Sequence, residues 1–226
     1  MIESSMDEVA LKEVLAKLDT HTDNQNRFSL PSRLIAKIFL FRWIYKGSAY
    51  AYSIDNDFRH LGGVDYWQSV IDAANAKYST MAQYQNDLIE FAKHHGYVDN
   101  PFTGRRYPIE PKITFRGQIK WPEPEIVNLP NQGFGADIVA LIRDTMYDAI
   151  VGAGKLEIVV PKLTVHDSIL HDCYDVKEAL WARNTMNDIC HELPALWEKE
   201  YGYRLVVPHK MEHEIGIKYG WMHSFN

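Results

Sequence analysis

This sequence predicts an α+β fold with helices and antiparallel strands in separate stretches, and three observations carry that reading. Residues 33–47 and 64–95 place apolar side chains at helical spacing, residues 156–175 are β-branched and alternating around a polar centre, and residues 203–223 alternate again. The chain is also long enough: 226 residues, 46% of them apolar, bury one sizeable core or two small ones, which excludes a disordered tail. A formal net charge of -6 means that any nucleic-acid partner must be held by local patches of cations and not by overall charge. No apolar run reaches the ~18 residues of a membrane span and no basic-then-apolar leader appears, so no membrane partner is expected and the expected compartment is the cytoplasm. Cys173 and Cys190 have no CxxC and no paired Cys/His spacing, so they offer neither a zinc site nor a disulfide framework and are expected to be buried thiols.

Taken in order, residues 1–20 read as one amphipathic helix, with Val9, Leu11, Val14, Leu15 and Leu18 apolar among acids and lysines. The next helix, RLIAKIFLFRWIYKG from Arg33 to Gly47, sets Arg33, Lys37, Phe41 and Tyr45 four residues apart. Such a row drifts by only about 40° per step, so two cations and two aromatics line one narrow face. Between Asn24 and Ile54 there is no acidic residue, while Arg27, Arg33, Lys37, Arg42 and Lys46 all fall there. That field suits phosphate. A buried helix whose cations only snorkel to the surface is the competing reading of the row taken alone. Pro31 is expected in the first turn, with Ser32 or Ser29 as the cap.

Two further helices are expected over Val64–Ala76 and Ser79–His95, with a break near Lys77 and Tyr78 and Gly96 as a C-cap. GYVDNPFTGRRYPIEP reads as a turn or hairpin presenting Arg105 and Arg106, and residues 111–125, with three of the chain's ten prolines and Trp121, read as a connector. IVNLPNQGFGADIVALIRDTMYDAIV joins a loop to a long helix, and LEIVVPKLTVHDSILHDCYD predicts a strand pair with His166 and Asp167 at the bend. A carboxylate held at such a bend projects toward a metal with little rearrangement. A hydrogen-bonded structural His-Asp pair is the alternative. Residues 176–200 are expected to be helical with Pro194 as a kink or break, followed by terminal strands. At their spacing, His209, Lys210, His213 and His223 fit a polar strand face better than a metal site.

Four of these patterns, in this order and covering roughly residues 19–221, resemble the polymerase I type (family A) DNA polymerases, especially their bacteriophage branch. LDTHTDNQNRFSLPSR followed by Arg-x3-Lys-x3-Phe-x3-Tyr is similar to the lead-in and nucleotide-binding helix of the fingers. The resemblance implies that His21, Arg33 and Lys37 contact the triphosphate of an incoming dNTP, that Phe41 packs on its sugar and base, and that Tyr45 closes the pocket. Phe41 lacks the hydroxyl that goes with acceptance of chain terminators. Gly-Tyr-Val followed by Gly-Arg-Arg-Tyr resembles a segment whose arginines, here Arg105 and Arg106, meet a DNA backbone or stabilise the fingers. Asn128, Gln132, Gly133, Ala136 and Asp137 match an N-x3-Q-G-x2-A-D pattern whose Asn and Gln lie near the minor groove, where shared acceptors let amide donors check pairing geometry without reading sequence.

Val-His-Asp resembles the palm motif in which Asp167 is a magnesium ligand and His166 lies near the primer terminus, and Glu-Ile-Gly-Ile followed by Trp resembles a closing palm strand. Two departures stand out: Lys46 separates Tyr45 from Gly47, and Ser168 replaces the usual Glu. The resemblance implies an α+β partial right hand, with a lead-in at 1–27, helical fingers at 28–125 and an antiparallel palm sheet at 126–226. It implies a DNA polymerase that joins dNTP to a primer 3'-hydroxyl on primer-template DNA at a two-magnesium site. Two metals need more than one carboxylate, and residues 1–20 contain no D-x-S-x-x-E run. The expectation is therefore a second, N-terminal polymerase polypeptide bringing the first aspartate motif and the thumb, with or without an exonuclease. The alternatives are a non-catalytic DNA-binding or accessory subunit and, more distantly, a His-Asp metallohydrolase.

Overall fold

The computed structural model describes residues 1–218 and 220–225. They form two compact units, Met1–Gly133 and Phe134–Asn226. The first holds α1 (Ile2–Ser5), α2 (Glu8–Leu15), α3 (Thr20–Arg27), α4 (Arg33–Ile44), α5 (Ala49–Ile54), α6 (Val64–Lys77) and α7 (Ser79–His95), then β1 (Tyr97–Asp99), β2 (Arg106–Pro108), β3 (Lys112–Ile113) and β4 (Ile119–Lys120). Helix α8 (Glu123–Gly152) runs on into the second unit, which continues with β5 (Val159–Val165), β6 (Ser168–Cys173), α9 (Val176–Tyr201), β7 (Glu214–Gly216) and β8 (Met222–Ser224). Consecutive strands pair as four antiparallel two-stranded sheets. The α+β class is as expected.

Helix α4 starts where Ser32 accepts a hydrogen bond from the Ile35 amide at 3.2 Å, and Pro31 lies just before that cap, outside the first turn where it was expected. Ala36, Phe39, Leu40 and Trp43 are its buried face. Phe39 meets Tyr52 of α5 and Trp67 of α6 at ring-centroid distances of 5.4 and 6.0 Å, and Phe58 closes the cluster 5.1 Å from Trp67. Such ring pairs add about 0.5–1.5 kcal/mol each beyond the area they bury. The cluster fixes which way α4 faces, and the row Arg33, Lys37, Phe41 is left on the exposed side.

The C-terminus of α4 explains the Lys46 departure. The Gly47 amide reaches back to the Arg42 carbonyl at 2.8 Å and the Lys46 amide to the Trp43 carbonyl at 3.0 Å, the paired bonds of a Schellman cap. Lys46 therefore occupies the left-handed position, with φ 58°, where glycine is the usual residue. Its Nζ bonds Asn86 Oδ1 at 2.7 Å. Because both substitutions lose that bond, Lys46→Gly is expected to exceed Lys46→Ala in stability by about 1 kcal/mol, the left-handed penalty of an L side chain. Urea unfolding of the two variants checks this.

In the second unit, Phe134, Ile138, Ile142, Met146 and Ile150 of α8 are buried at four-residue spacing, and Ala182, Met186, Ile189, Leu193 and Trp197 form the matching stripe on α9. Phe134 meets Trp197 edge-on at 5.2 Å. Strands β5 and β6 lie against α9. Their register, Val165 opposite Ser168, leaves His166 and Asp167 as a two-residue turn.

Several local expectations are corrected. Residues 1–20 form two short helices broken at Met6, whose φ is 51°, and Val9, Leu15 and Leu18 are exposed where the amphipathic pattern called for burial. Residues 111–125 are no mere connector, because β3 and β4 form a hairpin there. Helix α8 begins at Glu123 and carries Pro130 inside it, so Asn128 and Gln132 stand on a helix and not on a loop. Pro194 does not break α9, which continues to Tyr201. Of the described residues in 203–223, only Glu214–Gly216 and the segment from Met222 are strand; His209 and Lys210 lie outside both. Cys190 is buried but Cys173 only partly so, and burial pushes both thiols up, away from reactivity. No helix among the described residues is long and apolar enough to cross a membrane.

Candidate functional site

The run DTHT builds the first part of the site. Asp19 caps α3, accepting from the Thr22 amide at 3.3 Å and from the Thr22 hydroxyl at 2.7 Å. The same carboxylate takes a forked hydrogen bond from Arg33, with Nε to Oδ2 at 2.9 Å and Nη2 to Oδ1 at 3.0 Å. Arg33 and Thr22 hold the Asp19 carboxyl well below the usual carboxylate range, and Asp19 in turn raises Arg33. One side chain thus orients both the helix that carries His21 and the cation that opens α4.

His21 is half-buried, and its Nδ1 is buried with no hydrogen-bond partner among the described residues. Burial lowers its pKa first, the nearby Arg33 and Lys37 charges lower it further, and Asp19 opposes them. His21, Arg33 and Lys37 thus lie near enough for the two cations to disfavour a charge on the imidazole. Lys37 and Phe41 are exposed, Phe41 to 52%, so the snorkelling reading of α4 fails: this face is not core. Tyr45, at the end of the row, is tied down instead, its hydroxyl accepting from Asn131 Nδ2 of α8 at 3.3 Å. What the cluster offers chemically is an arginine oriented by Asp19, an exposed lysine, a buried ring nitrogen and an exposed aromatic face, an arrangement suited to a phosphate group joined to a planar ring.

The arginine hairpin forms as expected, with Asp99 opposite Arg106. Arg106 is engaged there, its Nε 3.1 Å from Asp99 and its guanidinium 3.8 Å above the Tyr97 ring, while Arg105 is exposed. Gly133 links this hairpin to α8: a β-carbon at that position would lie 1.6 Å from the Tyr107 hydroxyl oxygen. That is the physical reason for a glycine after Gln132. Asn128 has a buried Oδ1 without a hydrogen-bond partner among the described residues, and Gln132 is exposed.

The second unit holds the remaining chemistry. His166, with φ 54°, and Asp167 form the β5–β6 turn, and both are exposed along with Ser168. A left-handed first residue matches the twist of a tight hairpin and swings the carboxylate clear of the strands. Asp172 is exposed and lies 3.5 Å from Lys162. Among the described residues no three His, Cys, Asp or Glu side chains converge as a metal site. Asp167 is an exposed carboxylate that does not by itself make a metal site.

A family profile described as "DNA polymerase family A" matches residues 11–221. The chain belongs to DNA polymerase family A. Among curated family A proteins it is similar to DNA polymerase I of Chloroflexus aurantiacus, 27% identical over 186 residues, covering 81% of this chain and 18% of that protein. It is also similar to DNA polymerase I of Deinococcus radiodurans, 33% identical over 145 residues, 61% of this chain and 14% of that protein. The chain therefore spans less than a fifth of the length of these relatives. A solved structure described as the POL domain of Pol1 from M. smegmatis in complex with DNA primer-template and dNTP shares the fold, with a TM-score of 0.64 and 18% identity over 92% of this chain and 35% of that one.

Two residues of this cluster were not singled out from sequence. Asp19 was legible as part of DTHT but carried no signal for its pairing with Arg33, fourteen positions away. Asn131, between the two amides of the motif, becomes distinct only because α8 brings it to Tyr45.

Proposed function

We propose that this chain is the C-terminal catalytic portion of a DNA-templated DNA polymerase, with residues 1–27 as lead-in, 28–125 supplying the fingers and 126–226 supplying part of the palm. The observation that carries the reading is the convergence of His21, Arg33 and Lys37 beside the exposed Phe41. In the reaction the primer 3'-hydroxyl oxygen bonds to the α-phosphorus of a dNTP as the bond to pyrophosphate breaks. Arg33 and Lys37 neutralise the departing phosphates, His21 adds a ring nitrogen, Phe41 packs on the sugar and base, and Tyr45 borders the pocket. His166 lies at the primer terminus, while Arg105, Arg106, Asn128 and Gln132 follow the duplex. Magnesium, when bound, supplies Lewis-acid stabilisation of the attacking and leaving oxygens, and Asp167 is this chain's ligand for it.

A further polypeptide completes the site. Two features support it: Asp167 is the lone carboxylate the turn offers, and β5–β6 pairs with no further strand among the described residues, leaving backbone edges for strands from elsewhere. That polypeptide brings the first aspartate motif and the thumb, in the same cytoplasmic compartment and, for a bacteriophage protein, in the host's.

The test is extension of a labelled primer by the chain alone, by the chain with a polypeptide bearing a D-x-S-x-x-E motif, and by that pair with Lys37→Ala. The chain alone is expected to be inactive and the pair active. Lys37→Ala should lower kcat/KM for dNTP roughly 10- to 100-fold, since a charge-assisted contact is worth about 1.5–3 kcal/mol. Activity of the chain alone would overturn the shared site. An inactive pair that still binds primer-template would favour an accessory, non-catalytic subunit.

A further inference from the structure

The β3–β4 hairpin has a surface that the polymerisation chemistry does not use. Its register sets Lys112 opposite Lys120 and Ile113 opposite Ile119. The tip is a tight loop in which Thr114 N reaches Gln118 O at 2.9 Å, Gly117 N reaches Thr114 O at 2.9 Å, and Gly117 takes the left-handed conformation at φ 73°. Phe115 stands at this tip fully exposed, and Ile113 and Ile119 are 78% and 70% exposed. The charges are as one-sided as the exposure. Residues 112–120, KITFRGQIK, hold three cations and no acid in a chain whose formal net charge is -6. Like charges placed directly across a strand pair destabilise it, and none of Lys112, Arg116 and Lys120 makes an ion pair among the described residues. An uncovered aromatic, two uncovered isoleucines and three uncompensated cations on one short ribbon ask for a ligand that is both polyanionic and able to stack.

We propose that the hairpin of residues 112–120 is a docking surface for single-stranded DNA, with an unpaired base stacking on Phe115 and successive phosphates meeting Lys112, Arg116 and Lys120. An acidic protein segment would satisfy the cations but gives no reason for a fully exposed ring at the tip. Every base has a π-face, so stacking needs no sequence, and the three cations would meet the phosphates of the backbone. DNA is chosen over RNA because the chain belongs to a DNA polymerase family. This inference goes beyond the nucleotide site and involves none of its residues.

The experiment measures fluorescence anisotropy of a labelled oligothymidine of about twelve nucleotides with the full chain, without dNTP, primer or magnesium. Phe115→Ala is expected to weaken binding about tenfold while leaving the salt dependence unchanged. The triple variant Lys112→Gln, Arg116→Gln, Lys120→Gln is expected to weaken it and to flatten the slope of log affinity against log salt by about 2, since each phosphate contact to a single strand contributes ~0.7. All four side chains are exposed, so circular dichroism should match wild type. Hairpin variants that bind the strand as wild type does would overturn the proposal. So would a fully paired duplex that binds equally well and responds equally to Phe115→Ala, or variants that alter only self-association in sedimentation. Loss of extension in Lys37→Ala leaves this measurement untouched, so failure of either reading is visible separately.

Discussion

Asp167→Ala is expected to abolish primer extension by the assembled enzyme while leaving the chain folded. The side chain is exposed on a two-residue turn, so its removal opens no cavity and strands no hydrogen-bond partner. Its loss takes away the carboxylate through which this chain would anchor magnesium, and such an ion contributes several kcal/mol to stabilising charge in the transition state. That corresponds to a fall in kcat of about 100-fold or more. Asp172→Ala supplies the control. Asp172 is equally a β5–β6 aspartate but is exposed beside Lys162, and its removal should cost nothing measurable in activity. The comparison is made on one primer-template with magnesium in excess. Equal activity of the Asp167→Ala pair and wild type would take Asp167 out of the site and leave the non-catalytic reading. Equal losses in both variants would point to the hairpin's general electrostatics instead of one carboxylate.

The sequence was most legible where one residue type can do one local job. Gly96 as a left-handed helix end, Ser32 as a cap, the break at Lys77 and Tyr78, and the bend at His166 and Asp167 all rest on interactions a few residues apart. The cation row of α4 was legible for the same reason, since a four-residue repeat fixes a face. Which way that face points was not. Phe41 and Phe39 are two residues apart and chemically identical, yet one is 52% exposed and the other fully buried. The choice is made by Tyr52 and Trp67, whose rings pack against Phe39 from other helices, with Phe58 packed in turn on both of them. Misreadings have the same origin. Three prolines in residues 111–125 read as a connector, but at the start of α8 a missing amide hydrogen costs little, and tertiary packing carries the helix through Pro130. The forked Asp19–Arg33 bond was invisible because nothing local announces a partner on the next helix.

A second such hidden partner is Lys77, and Lys77→Met is expected to be the most destabilising single change in Met1–Gly133. The side chain is only 3% exposed, yet its Nζ lies 2.7 Å from Glu13 and 2.7 Å from Asp23, and it donates to Asn24 Oδ1 at 2.6 Å. Tyr78 extends the network, its hydroxyl donating to Glu13 Oε2 at 2.9 Å. Burial pushes the Lys77 pKa down, but hydrogen bonds to Asp23 and Glu13 outweigh it and the net shift is upward. A raised folded pKa means that the stabilisation is fully present below the ordinary lysine value of about 10.4 and fades as pH rises through the folded one, so at neutral pH the network is intact. Removing the cation leaves Glu13 buried and uncompensated, at a cost of about 3–5 kcal/mol. At roughly 2–4 °C per kcal/mol for a chain of this size, the Tm of that unit should fall by about 6–20 °C. Glu13→Leu combined with Lys77→Met should recover much of the loss, because an apolar pair of similar volume replaces a buried ion pair at little cost. Function should not recover with it. Asp23 and Asn24 belong to the helix that also carries His21 and is capped by Asp19, and both lose their tether to Lys77 in the double variant. In the assembled enzyme its KM for dNTP should therefore stay raised after its Tm has returned. A double variant that regains both would show that Lys77 serves stability alone, and a single variant that melts as wild type does would remove the network from the account of the fold.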